Sequence, residues 1–303
     1  MPRPKKSGML AYSNWDIIPV VCGVLHLAFI VSVFVFFNRL PMWASAILGA
    51  VYAVSISWNI NGISHNFLHN PYFRSRLLNR LFSIVESLSN GFGQTFYRCV
   101  HMRHHMGNSD RPDGGNGTID WLSIYRHGHH GEPESVWTYT FLSFFRDDPK
   151  EIYREIAKKS PFDAKFGVLE IALFLAMFVA MGISNWRFLI WLLPSWYIGH
   201  CLSYLNGYFE HYAGNPDKPI AWGVSTYHKL YNWTWFNNGY HAEHHYRPRQ
   251  HWTKMPELHR EIEVEQKREG TRVIRPPHAL GFFDPDLPPL GKPVQKRDPA
   301  GVA

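Results

Sequence analysis

Residues 17–37 read IIPVVCGVLHLAFIVSVFVFF, an apolar run broken only by His26 and Ser32. As a helix it is about 31 Å long at 1.5 Å per residue, which matches the hydrocarbon core of a bilayer. No small-residue cleavage site precedes the next charge, Arg39, so the run reads as a retained membrane span and not as a signal peptide. Working outward, Asn38-Arg39-Leu40-Pro41 is a tight break, and residues 41–60 form a second apolar block that would fold back as a hairpin. A third block, 166–183, carries one acidic residue, Glu170. Ser184-Asn185 breaks the chain again, and a fourth block, 186–205, contains Pro194, which is expected to kink it. The expected fold is all-α and integral to the membrane. Four transmembrane helices pair in two hairpins, beside a helical cytoplasmic cap.

Composition agrees with that plan. Apolar residues make up 46% of the 303, yet mean hydropathy is only -0.23, so the apolar residues must be concentrated in blocks. The net charge of +7 suits either nucleic acid or an anionic membrane surface. No nucleic-acid-binding motif is present and the blocks favour the bilayer, so no nucleic-acid partner is expected. The two tight breaks hold only Arg39 and Arg187, whereas the N-terminus and the two long polar regions carry nearly all other Lys and Arg. The positive-inside rule then puts both termini and the polar regions on the cytoplasmic side. The chain divides into a basic N-terminus (1–16), a membrane domain (17–260) and a polar tail (261–303). Residues 76–92 show helical periodicity and read as an interfacial amphipathic helix or a core helix of the cap. Residues 110–117 read as a loop, and the tail from Pro276 as a stretch with little regular structure. Cys22, Cys99 and Cys201 are too far apart for a CxxC site and read as structural thiols.

The count of 18 histidines is the unusual feature of the composition. His65 and His69 form HxxxH; His101, His104 and His105 form HxxHH; His241, His244 and His245 repeat HxxHH. Residues three and four apart share one helix face, so each cluster is expected to point its imidazoles the same way. Neutral imidazole is a good ligand for iron, zinc or copper. Eight imidazoles exceed the needs of one metal, so two metals are implied. All three clusters fall beside the spans on one side, a rule that independent surface histidines would have no reason to obey. By contrast, His127, His129 and His130 are flanked by glycines and read as a loop, and His26, His251, His259 and His278 as ordinary histidines. Glu210, Glu243, Asn237 and Asn238 neighbour the clusters and could orient imidazoles.

The order HxxxH, HxxHH, HxxHH in a four-span chain resembles the membrane fatty acid desaturase superfamily, which includes acyl and sphingolipid desaturases, hydroxylases and carotenoid ketolases. Pro248, Trp252, Met255 and Pro256 resemble that family's ending after its third box. The resemblance implies a ninth histidine between the fourth span and the third box. His211 is the candidate, with His200 and His228 as competitors. It also implies two irons with O2 as co-substrate, and no catalytic residue beyond the metal centre. In acyl-CoA desaturases an Asn stands one turn before that ninth histidine; here Gly207 takes its place, with Asn206 one residue further back.

No cytochrome-b5-like, iron–sulfur or dinucleotide-binding motif occurs, so two electrons are expected from a separate ferredoxin, rubredoxin or cytochrome b5. The resemblance implies desaturation of an acyl chain or related lipid. The alternative within the superfamily is a hydroxylase or ketolase acting on a lipid, a carotenoid or a small specialised metabolite. A membrane metal transporter or sensor is the rival from another class; it would need ligands within the spans. Trp58, Phe67, Trp196, Tyr204 and Trp235 could line a substrate tunnel or be core.

Overall fold

The computed structural model describes residues 8–107, 119–215, 217–288 and 290; the loop expected at 110–117 lies outside the described residues. The chain is mostly helical, with four helices long and apolar enough to cross a membrane. They are built on α1 (Ile17–Phe36), α2 (Met42–Trp58), α8 (Pro161–Ser184) and α9 (Trp186–His211). Shorter helices complete the described chain: α3 (His65–His69), α4 (Arg76–Asn90), α5 (Gln94–Gly107), α6 (Val136–Leu142), α7 (Pro149–Lys159), α10 (Lys229–Thr234), α11 (His241–Tyr246) and α12 (Met255–Arg268).

Local chemistry sets the ends of the long helices. Ser160 caps α8 by accepting from the Asp163 N–H, with Pro161 in the first turn, where its missing donor costs nothing. Asn185 leaves the helical region and caps α9 by accepting from the Phe188 N–H, so one residue ends one helix and starts the next. Inside, Ile30, Tyr52, Ile56, Phe178, Phe188 and Leu192 join all four long helices in one core. Outside, Val21, Leu25, Ile47, Val179, Ile183 and Ile190 are exposed, as lipid-facing side chains would be. The closest packing is between α2 and α9. A Cβ on Gly199 would sit 2.7 Å from the Cβ of Ile56 and 2.9 Å from the Ala53 carbonyl oxygen, so only glycine permits this approach.

Two helices run beyond the apolar blocks that announced them. The second does not stop at residue 60 but continues through a π-helical turn, Asn59–Ser64, into α3. The whole stretch, Met42–His69, has 28 residues and is about 42 Å long, more than a bilayer core of about 30 Å requires. Helix α9 likewise continues past residue 205 to His211. In the first of these extensions polar side chains bond back to the helix's own carbonyls: Asn61 Nδ2 donates to the Ser57 carbonyl and Asn66 Nδ2 to the Gly62 carbonyl. The edge of hydropathy is therefore not the edge of the helix.

Helix α4 packs against α1 and α8, and its faces are distributed unusually. Leu77 and Leu81 are exposed, while Ser83, Glu86, Ser87 and Asn90 are buried. Ser83 Oγ donates to Glu170 Oε1, and the other oxygen of Glu170 accepts from the Thr95 N–H at 2.8 Å. The one acidic residue in the third apolar block is thus fully bonded across two neighbouring helices. Glu86 Oε2 accepts from Ser64 Oγ at 2.8 Å, whereas Glu86 Oε1 has no partner, and Gly23 leaves the space it occupies.

Burial pushes the Glu86 carboxyl up to about 8 from its ordinary 4.5. A carboxyl raised on folding binds its proton in the native state while the unfolded chain releases it. Stability therefore falls as pH rises between about 4.5 and about 8. Replacing Glu86 by Gln removes that dependence. The thermal midpoint of E86Q, relative to the parent, should climb from the acid to the alkaline end of that window. Unfolding curves that stay parallel across it would refute the assignment.

The far end of the chain is more ordered than its Pro- and Gly-rich composition suggests. Strand β2 (Val273–Ile274) pairs in parallel with β1 (Ser225–Thr226), and a 3-10 helix, His278–Phe283, packs on α9. His278 Nε2 donates to the Val224 carbonyl at 2.8 Å, and Gly281 lies flat against the Phe209 ring. Contacts over long sequence separation order this stretch, and local propensity carries no trace of them. At the other end, buried Asp16 accepts from His251 Nε2 and Trp252 Nε1, both at 2.9 Å, which ties the start of α1 to the segment after α11. Cys22, Cys99 and Cys201 are free thiols.

Candidate metal centre

Four elements deliver nine imidazoles to one place. Helix α3 brings His65 and His69, α5 brings His101, His104 and His105, the last residue of α9 is His211, and α11 brings His241, His244 and His245. They sort into two groups. His65, His69, His101, His105 and His244 form one; His104, His211, His241 and His245 form the other. Within each group the ligand nitrogens all lie within 4.8 Å of one another.

The sorting departs from the expectation that each box points one way. The two HxxHH boxes are shared between the groups, in opposite senses. On α5 the i, i+4 pair His101 and His105 joins the five-histidine group, and His104 turns to the other. On α11 the i, i+4 pair His241 and His245 joins the four-histidine group, and His244 crosses over. The reason is angular: at about 100° per residue, positions i and i+4 differ by about 40°, whereas i+3 lies about 60° to the other side of i. A box of this spacing can therefore serve two centres at once.

The donor geometry fits metal ions. Nε2 to Nε2 distances are 2.8 Å for His65–His244, 2.9 Å for His69–His101 and His101–His105, and 3.0 Å for His105–His244. In the second group His104–His211 and His211–His241 are both 3.0 Å. Imidazole nitrogens about 2.1 Å from one ion stand about 3.0 Å apart at 90° and about 3.4 Å apart at the tetrahedral angle. Ring nitrogens this close, converging in each group, are placed as ligands to a shared ion would be. His245 is buried with neither ring nitrogen hydrogen-bonded, an uncompensated cost that a cation would remove. Burial holds His101, His105, His241, His244 and His245 well below the usual imidazole range, so they are neutral and offer lone pairs.

Neighbouring groups fix some of these rings. Asp120 Oδ2 accepts from His104 Nδ1 at 2.8 Å, which leaves His104 Nε2 free to face the cluster. Asp120 sits outside any box, and nothing in the local sequence signals it. Glu210 Oε1 lies 3.7 Å from His241 Nδ1 and is held by Asn206 and Asn238, each donating at 2.7 Å. Glu243 touches no histidine of the groups. It accepts from Ser225, Tyr227 and His259, so it anchors α11 to β1 and α12.

The remaining sequence candidates lie elsewhere. His200 donates to the Asn90 carbonyl and His228 caps α10; neither is in a group. Asn237 bonds the Trp252 carbonyl. His26 bonds Ser55 and Asn59. His127, His129 and His130 occupy turns. Asn206 turns away to Tyr231 and Glu210, so the place one helical turn before His211 belongs to Gly207.

A cavity of about 380 Å³ ends on this cluster, with His65, His101, His104, His211 and His241 in its wall. It follows one face of α9: Trp196, His200, Tyr204, Gly207 and His211 line it at steps of three or four residues. That stripe is about 22 Å long at 1.5 Å per residue. Phe92, Phe96, Phe144 and Phe174 make most of the opposite wall apolar. Of the aromatics singled out in the sequence, Trp196 and Tyr204 line the cavity, whereas Phe67 packs in a separate core cluster with Trp58 beside it. Trp235 stacks near Tyr231.

Comparison with known proteins adds an independent line. The family model for fatty acid desaturase matches residues 41–276. The sphingolipid delta(4)-desaturase DES1-like of Oryza sativa subsp. japonica is 28% identical over 66% of this chain and 58% of its own. The sphingolipid delta(4)-desaturase/C4-monooxygenase DES2 of Rattus norvegicus is 27% identical over 68% of this chain and 60% of its own. The sphingolipid delta(4)-desaturase of Schizosaccharomyces pombe is 24% identical over 78% and 66%. The chain thus spans about three fifths of the length of the first two relatives.

Proposed function

The chain belongs to the fatty acid desaturase family, and from that premise we propose that it is an O2-dependent, non-haem di-iron desaturase of a long-chain lipid. One observation carries the reading: nine imidazoles in groups of five and four close the end of an apolar cavity. Each group would hold one iron. With O2 and two electrons, bound iron supplies an oxidant able to take hydrogen from an unactivated C–H bond. Overall, O2, two electrons, two protons and a –CH2–CH2– unit give –CH=CH– and two waters. The rest of the task falls to the protein. The phenyl-rich wall excludes water and aligns the chain along α9, Gly207 leaves room beside His211, and Asp120 keeps the His104 proton on Nδ1.

The positive-inside bias supports placing the termini and the histidine cluster on the cytoplasmic side, with the long apolar helices in two hairpins and the shorter helices as a cap. The domain plan is one membrane domain over about 17–260 and a tail over 261–303, in which the 3-10 helix His278–Phe283 packs back on α9. The basic surface suits an acidic ferredoxin, rubredoxin or cytochrome b5 as electron donor.

A second reading, hydroxylation, is favoured by the rat relative, a desaturase and C4-monooxygenase by name. Expression with a reductase system, followed by mass spectrometry of lipids, separates the two. The desaturase reading expects a product lighter by two hydrogens and bearing an alkene. A product heavier by one oxygen with no alkene would replace it with the hydroxylase reading. Labile zinc or copper without O2 consumption would overturn both.

A further inference from the structure

At its histidine end the cavity is walled by buried and half-buried side chains, so its mouth lies elsewhere. Among the described residues that line it, only Leu175 and Pro149 are exposed. Leu175 is 50% exposed and stands on α8 ten residues beyond Lys165, about 15 Å along the helix and inside its apolar stretch. Pro149 opens α7 between Asp148 and Lys150, both charged and exposed. The mouth therefore reaches from a polar edge into the apolar band of α8, the band that also exposes Val179 and Ile183. At Leu175 one side chain belongs both to the cavity wall and to the surface that faces lipid.

The segment before Pro149 reaches the same cavity. Helix α6 and the 3-10 turn Ser143–Phe145 make a stretch, VWTYTFLSFF, that carries no charge. At about 15 Å it is too short to span a bilayer. It runs along α9 in the opposite direction. Tyr208 Oη donates to the Glu134 carbonyl at 2.9 Å, and the Tyr139 ring lies 6.0 Å from that of Tyr204. Tyr197 Oη donates to the Phe141 carbonyl at 2.5 Å, and the Phe144 ring lies 5.1 Å from those of Trp196 and His200. From Tyr208 to Tyr197 the segment follows α9 for about 16 Å, past residue 205 and into the apolar block of that helix. Val136, Tyr139, Thr140 and Ser143 face inward, whereas Trp137, Phe141, Leu142 and Phe145 face outward, Phe145 being 68% exposed. Hydroxyls turned in and an apolar face turned out are the reverse of a helix in water. Arg146, the first charge after the segment, turns inward to Glu134 at 2.6 Å, as charges at membrane depth do.

We propose that Val136–Phe145 is a re-entrant segment that enters the bilayer along α9, and that Phe144 at its tip and Leu175 of α8 frame a lateral portal between bilayer and cavity. The occupant is the hydrocarbon chain of a bilayer lipid. Its polar end stays at the charged edge beside Asp148 and Lys150 while the chain passes Leu175 and Phe144 toward the histidines. Phe144 is the narrowing element, because its ring lines the cavity and is held edge-on by Trp196. The inference rests on the cavity being the substrate site of the proposed desaturase and adds the route: the chain arrives from within the membrane and not from water on a soluble carrier.

The test is photolabelling of the full chain in nanodiscs doped with a phosphatidylcholine that carries a diazirine at the end of one acyl chain, with adducts mapped by mass spectrometry. Adducts are expected inside the cavity, at buried Phe96 and Phe174, as well as on the outer surface at Ile183. Leu175→Trp fills the mouth from its lipid side and should lower the cavity adducts at least about fivefold while those at Ile183 stay unchanged. Phe144→Ala should raise the cavity adducts at least about twofold. Iron content and thermal midpoint report folding, and Leu175→Phe is the smaller change should Leu175→Trp fail to fold. A nitroxide on Phe145→Cys, corrected for label on the parent's own thiols, should be relaxed more by O2 than by a water-soluble nickel chelate; the reverse order overturns the re-entrant placement. Cavity adducts absent in the parent, or unchanged in every variant, overturn the portal. So does cavity labelling obtained only with a water-soluble acyl thioester bearing the same diazirine, because the chain then enters from water past Pro149. Labelling needs no turnover, so the two readings fail separately. Cavity adducts that respond to Leu175→Trp, with no turnover of any lipid, sink the desaturase reading while the portal stands. Turnover with cavity adducts indifferent to Leu175→Trp sinks the portal alone.

Discussion

Replacing His104 by Ala is expected to lower iron from two per chain to about one and to bring turnover to background. The expectation follows from how the boxes are shared. His104 is the only α5 residue in the four-histidine group, so its loss leaves His211, His241 and His245 without their fourth imidazole. The five-histidine group keeps all its members, among them His101 and His105 of the same helix. The variant should therefore empty one centre selectively, which a merely structural histidine would not do. Asp120→Asn provides the graded control. It keeps a polar partner near His104 Nδ1 but weakens the charge-assisted bond, and a loss of about 10–100-fold in affinity or activity is expected. Iron analysis of purified protein, combined with turnover, checks both. Two irons per chain and undiminished activity in H104A would break the assignment of this group as a metal site.

How much of this centre could be read in the sequence depends on whether the information is local. The eight box histidines declare themselves, because i, i+3 and i+4 spacing is a property of adjacent residues and hydropathy places all the boxes beside the long apolar blocks. His211 needs the resemblance to a family, since a lone histidine at the end of α9 has no spacing to mark it. The division into five and four is invisible, because it depends on how α5 and α11 are rotated toward each other. Asp120 is equally silent, since it takes its meaning from a partner outside its own segment, His104. Helix α4 shows the same limit. Its periodicity was legible, but the polar side chains Glu86 and Ser83 face inward because Ser64 and Glu170 await them there. Likewise, apolar block lengths mark the long helices but not the extensions to His69 and His211, whose residues are polar.

Gly207→Phe should abolish turnover while leaving the fold and the iron intact, and the geometry of α9 explains why both can hold. Gly207 lies one turn before His211 on the cavity face. A Cβ built there meets nothing nearer than Glu210 Oε2 at 4.0 Å, and Gly207 lines the cavity, so added side-chain atoms are directed into the cavity volume. Glycine inside a helix is worth about 1 kcal/mol less than alanine, so larger residues at this position favour the helix. Stability should hold or rise, in contrast to Gly199→Ala, whose new methyl would press on Ile56 and the Ala53 carbonyl and separate α2 from α9. Within the series at 207, Ala should retain most activity, Leu should favour shorter chains, and Phe should reject long chains altogether, a loss of at least about 100-fold in kcat/KM. Thermal midpoint, iron content and kcat/KM against chain length separate the possibilities. If Phe at 207 left long-chain turnover unchanged, the substrate would not pass along α9 beside His211. The cavity would then lose its role as the substrate path. If iron were lost instead, the side chain would be pushing on the four-histidine group, and the open space beside Gly207 would be part of the metal site and not of the substrate path.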